Sequence, residues 1–196
     1  RDSYKGVSGT SVAQDFVELP SQIMEHWAVE PEVLKLYAKH YETREVIPDE
    51  LITKIQNQGT FNQGFMTTEL LAAALLDMEL HNLTDTENLN VVAFEKETMD
   101  KLGLIPEIAP RYRATYFSHI IGGYAAGYYS YLWAEVLDTD AFEAFKEHGV
   151  FDKNTADSFR KNILEKGGTE DPMTLYRGFR GADPSLEPLL KNRGLK

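Results

Sequence analysis

Residues 67–83, TTELLAAALLDMELHNL, constrain the fold of this chain more than any other stretch. Alanine and leucine fill it, and Thr67 followed by Glu69 and Leu70 reads as a capping signature, so an α-helix is expected there. It is apolar on several sides, and a helix apolar nearly all round is usually buried. The fold must supply other elements to bury it.

Those elements also read as helices. DFVELPSQIMEHWA places Phe16, Val17, Ile23, Met24 and Trp27 near helical spacing, with Thr10 or Ser11 as N-cap. Pro20 is expected to bend that helix or to mark its start. PEVLKLYAKHYE opens with Pro31 at a first helical position, and PDELITKIQNQG runs from Pro48 and Asp49 to Gly59. NVVAFEKETMDKLGL ends at Gly103 and gives way to IPEIAPRYR, a proline-containing connector. A further helical stretch runs on through AEVLDTDAFEAFKEHG to Gly149. DKNTADSFRKNILEKGG closes on Gly167 and Gly168, and DPMTLYRGFRG starts at Asp171 and Pro172. No alternating strand run, internal repeat or low-complexity linker interrupts the series. An all-α fold is expected, with residues 1–196 as a single helical portion.

Charge and composition narrow the function. The 31 acidic residues outnumber the 20 basic ones, for a net charge of −11. That argues against a general nucleic-acid or anionic-membrane binder, because phosphates are held by clustered Lys and Arg. No apolar run approaches the ~18–20 residues that span a bilayer. The chain has no cysteine, so it can form no disulfide and no thiolate. A cytoplasmic location is expected, with the periplasm as the alternative. A first residue of Arg1 rather than Met is expected of a fragment or a processed product.

HIIGGYAAGYYSYLW, residues 119–133, holds four of the ten tyrosines. On a helix Tyr124, Tyr128 and Tyr131 fall at i, i+4 and i+7 and share a face, while Tyr129 points elsewhere as a packing residue. Gly122 and Gly123 allow a turn, and His119 precedes it. Two readings stay open. An aromatic stripe at helical spacing can simply be core. Three phenols on one face each need a hydrogen-bond partner when buried, and could instead donate to a substrate or a developing oxyanion.

Asp15, Glu18 and Gln22 lie at i, i+3 and i+7 and are expected on one helix face. A zinc site needs more than one such carboxylate, most simply a His pair with Glu between them in H-E-x-x-H. The five histidines are too scattered to make that motif anywhere in the chain. His26, His40, His81 and His148 are expected to be solvated or structural. HNLTDTENLN reads as a solvated loop, DTDAFEAFKEH as a solvated helix face, and Arg177 and Arg180 as surface or ion-pairing groups.

GTSVAQDFVELPSQIMEHWA, FNQGF with ELLAAALLDMELH, HIIGGYAAGYYSYLWAEVL and FRGADPSLEPLLKNRGL together resemble the C-terminal part of the thimet-oligopeptidase family of zinc metallopeptidases, nearest its bacterial peptidyl-dipeptidase branch. The resemblance covers essentially the whole chain. It implies an all-α, zincin-like fold of two lobes around a channel, and a Zn2+ cofactor held by two His of an H-E-x-x-H helix and one Glu. That Glu matches Glu18; the His pair and the catalytic Glu would lie upstream of this chain. Asp15 is expected to orient a zinc-binding His. By the same resemblance His119 is a substrate-contacting residue and Tyr124 the tyrosine of a flexible glycine loop. Tyr128 and Tyr131 are tyrosines facing the metal, so Tyr131, Tyr128 and His119 are the expected catalytic groups. The implied partners are an oligopeptide substrate, cut to release C-terminal dipeptides, and the N-terminal portion of the same protein. The alternatives are an internally cutting oligopeptidase, or a non-catalytic helical module that binds peptides or a partner chain.

Overall fold

Proline and glycine punctuate the helices much as the sequence anticipates. The computed structural model describes residues 4–196, and among them the helices α1 (Leu19–Val29), α2 (Pro31–Tyr37), α3 (Asp49–Gly59), α4 (Gln63–His81), α5 (Val91–Lys101), α6 (Ser130–His148), α7 (Lys153–Phe159), α8 (Pro172–Arg180) and α9 (Glu187–Asn192). No strand forms among the described residues beyond an isolated bridge between Lys39 and Val46. The fold is all-α.

Two starts differ from expectation. Pro20 sits in the first turn of α1, where its missing N–H costs nothing, so the helix begins at Leu19 with Glu18 as N-cap rather than Thr10 or Ser11. Asp15 lies before it in a separate 3₁₀ turn, Gln14–Phe16. Helix α4 starts at Gln63, ahead of Thr67, behind an Asn62 at φ 58. Asparagine tolerates that left-handed backbone, and Thr67 becomes an interior residue. Helix α8 starts where read, Asp171 Oδ1 accepting from the amides of Met173 and Thr174 at 3.0 Å each; Asn90, which the sequence reading did not single out, caps α5 by accepting from the amide of Ala93 at 3.1 Å. Beyond α7 the chain continues as a π-helical segment, Arg160–Leu164. A Cβ on Gly167 or Gly168 would lie 2.0 or 2.3 Å from the backbone oxygen of Val7 or Ser11, so the chain can cross there only as glycine.

The residues form two compact units, Arg1–Phe61 with Leu132–Lys196, and Asn62–Tyr131. In the first, Phe16, Leu19 and Ile23 pack with Leu137, Phe142, Phe145, Phe159, Leu175 and Tyr176, and Trp27 stands edge-on to Phe142 and Phe145. The stretch DTDAFEAFKEH is solvated only at its end: Lys146, Glu147 and His148 are exposed, whereas Asp138, Thr139 and Asp140 are buried with Phe142. Their burial is tolerable because α1 and α8 supply partners on either side. Asp138 accepts from Gln22 Nε2 at 3.0 Å and lies 2.6 Å from His26 Nε2. Tyr176 donates to Asp140 at 2.6 Å, and Arg180 pairs with Asp140 and Glu147. Burial raises the Asp138 carboxyl above its ordinary range, against the opposing pull of His26.

In the second unit Ala72 and Leu76 of α4 pack with Met99 of α5, and Leu80, Phe94, Leu104 and Ala114 close around them. The buried Glu95 takes the guanidinium of Arg113 and the amide of Ala114 at 2.7 Å, tying down the proline-containing connector. Helix α4 is not buried all round. Leu71, Leu75 and Met78, at i, i+4 and i+7, form an exposed stripe opposite its packed face.

Candidate active site

The tyrosine row is not one helix. Ser118–Ile121 is a 3₁₀ turn, residues 122–129 continue as turns, and α6 begins only at Ser130. Within the loop the backbone bonds run three residues back: Ala125 to Gly122, Gly127 to Tyr124, Ser130 to Gly127. The amides of Ala126 and Tyr128, which a helix would direct to the carbonyls of residues 122 and 124, instead donate to Asp77 Oδ1 and Oδ2 at 2.9 Å each. The left-handed residue is Ala126, at φ 51, rather than Gly122 or Gly123; a Cβ on either glycine would meet no crowding.

The loop nevertheless brings the expected rings together. Tyr124 and Tyr131 stack at 5.3 Å with planes 7° apart, and Tyr128 meets Tyr131 at 5.1 Å. His119 lies 5.8, 5.4 and 6.1 Å from Tyr124, Tyr128 and Tyr131. Tyr129 is 44% exposed.

Tyr112 and Phe117 complete the cluster. Tyr112 stacks on Phe117 at 5.1 Å and approaches His119 at 4.9 Å, while Phe117 stands edge-on to Tyr128 at 4.8 Å. Neither was singled out by spacing, because both lie in irregular chain that carries no period. Asp77 did leave a signal: a carboxylate inside LLAAALLDMEL is out of place unless something bonds it.

The electrostatics favour hydrogen-bond donation. Tyr128 is 3% exposed, and burial pushes its phenol up to about 12, against the pull of the neighbouring Arg111 guanidinium. It therefore keeps its proton at neutral pH. Tyr124, Tyr131 and His119 are only partly buried, and His119 Nδ1 is enclosed without a hydrogen-bond partner. Protonated phenols beside an imidazole can donate to a peptide carbonyl or to the oxyanion it becomes.

Glu18 and Asp15 lie in the other unit, and each is partly exposed. The Ser21 hydroxyl donates to the Glu18 carboxylate, and Gln22 is turned to Asp138, so Asp15, Glu18 and Gln22 do not share a helix face. Among the described residues no group of three His, Asp or Glu side chains could hold a metal. Glu18 offers one carboxylate, which does not by itself fit a zinc ion. A groove of about 470 Å³ in this unit, lined by His26, Glu30, Thr139 and Lys191 among others, contains none of the expected site residues. His81 and His148 bond carbonyls one turn back, at 2.9 and 2.8 Å, and with His26 they are structural. Among the described residues no helix is long and apolar enough to cross a membrane.

The profile described as "Peptidase family M3" matches residues 1–195. Dipeptidyl carboxypeptidase of Escherichia coli is 46% identical over 202 residues, covering all of this chain and 29% of that protein. Oligopeptidase A of the same organism is 42% identical, over 97% of this chain and 28% of its own length. A thimet-like oligopeptidase of Dictyostelium discoideum is 30% identical, over 98% and 29%. The chain thus spans under a third of the length of these relatives.

Proposed function

This chain belongs to peptidase family M3, and on that premise we propose that it is the C-terminal catalytic portion of a zinc metallopeptidase that releases dipeptides from the C-termini of oligopeptides. The reading is supported above all by the convergence of His119, Tyr124, Tyr128 and Tyr131, four rings that spacing and resemblance had already singled out. In it, Tyr131 and Tyr128 donate hydrogen bonds to the oxyanion that forms at the scissile carbonyl. His119 and Tyr124 hold the peptide backbone. Zinc belongs to the proposal with Glu18 as one ligand; the remaining ligands come from outside these 196 residues, and Asp15 orients one of them.

The test is peptide hydrolysis by the full-length, metal-loaded protein, comparing a free with an amidated C-terminus. Loss of cleavage on amidation is the expected result. Unimpaired cleavage at internal bonds would favour an oligopeptidase of the same family, a reading that the 42% identity to oligopeptidase A supports. The isolated chain is expected to bind zinc weakly and to turn over no peptide. Peptide binding without turnover by the full-length protein would instead make this a binding module.

A further inference from the structure

The tyrosine wall depends on a residue that belongs to neither α6 nor the loop. On an unbroken helix Tyr124 and Tyr131, seven residues apart, would be separated by about 10 Å along the axis. Their rings in fact stack 5.3 Å apart, which the 122–129 loop makes attainable by leaving the helical path. Among the described residues one side chain, Asp77, competes with the helix for the two amides that matter. Asp77, 0% exposed on α4, holds the N–H groups of Ala126 and Tyr128, one on each side of Gly127. His81, one turn along α4, places Nδ1 2.9 Å from the same carboxylate.

We infer that Asp77 is a positioning residue for the reaction: its carboxylate holds residues 126–128 off the helical path and so sets Tyr128 and Tyr131 at the angle from which they donate to substrate. This rests on the active-site reading above. Asp77 touches no substrate and transfers no proton. It acts through the loop, and both oxygens are needed because two amides must be held at once. A buried carboxylate with this backbone role also explains the otherwise misplaced acid of LLAAALLDMEL.

The experiment is steady-state kinetics on the full-length protein with Asp77→Asn, Tyr131→Phe and the double variant, each checked for folding by circular dichroism. Asparagine keeps the shape but has one acceptor oxygen, so one amide loses its partner. Asp77→Asn alone is expected to lower kcat by about tenfold to a hundredfold, as a small misplacement does, with KM within about twofold. In the Tyr131→Phe background the same change should cost clearly less than it does alone, because one of the two hydroxyls it positions is already gone. An additive loss, or none, while Tyr131→Phe is itself impaired, overturns the inference and leaves the active-site reading standing. An unimpaired Tyr131→Phe overturns both. Should Asp77→Asn fail to fold, hydrogen exchange on the unmodified protein decides. Slow exchange at the amides of Ala126 and Tyr128 is expected of donors bonded to a buried carboxylate, and exchange at loop rates there overturns the assignment.

Discussion

Asp77 and Asp138 are both buried aspartates on helices, one in each compact unit, and they do different work. Asp138 bonds side chains, Gln22 and His26, which reach it from α1 and fix that helix against α6. Asp77 bonds main-chain amides and so dictates the path of a loop. A buried carboxylate that takes side-chain partners joins elements that would exist without it. One that takes amides decides whether an element exists. The first kind should register mainly in stability and the second mainly in the geometry of the rings it carries.

The comparison can be broken in several ways. The largest expected effect is that of Tyr131→Phe in the full-length protein: a fall in kcat of about a hundredfold, the usual cost of one oxyanion donor, with KM nearly unchanged in initial-rate assays. An unchanged kcat would return Tyr131 to the core. Next, Asp138→Ala should destabilise by about 1–3 kcal/mol in urea melts, since Gln22 and His26 lose a buried partner. Its kcat, measured well below the melting temperature, should match the parent's; a large drop would erase the distinction between the two aspartates. Removing the cap of α8 with Asp171→Ala should cost about 1 kcal/mol, read the same way.

A smaller effect concerns pH. Burial holds the Asp138 carboxyl above its ordinary value, so the folded state binds a proton that the unfolded state has released. Stability from this group is complete below the unfolded value of about 3.9 and is lost as pH rises through the higher folded value. Subtracting Asp138→Asn from the parent in urea melts at stepped pH should leave a component that declines with rising pH. A component rising with pH would contradict the assignment.

That the rings of the candidate site gather was legible in the sequence, though partly for the wrong reason. His119, Tyr124, Tyr128 and Tyr131 do converge, yet helical spacing is not what unites them. Tyr112 and Phe117 were not legible, since irregular chain has no period to read. Asp138 and Asp140 of DTDAFEAFKEH looked solvated because charge suggests water, and only α1 and α8 show that protein groups replace it.

The helices and most of their limits were determined by the sequence alone. Pro20, Pro31, Gly103 and Asp171 act within a turn of their own position, through a fixed φ, a missing N–H, an absent Cβ or a capping oxygen. What the 122–129 segment would do was decided only by the tertiary structure. Its residues are compatible with a helix, and the balance is tipped by a carboxylate about fifty residues earlier in the chain that binds two of its amides. Hydrogen bonds are chosen by whatever acceptor lies within reach, and reach between distant residues is a property of the fold.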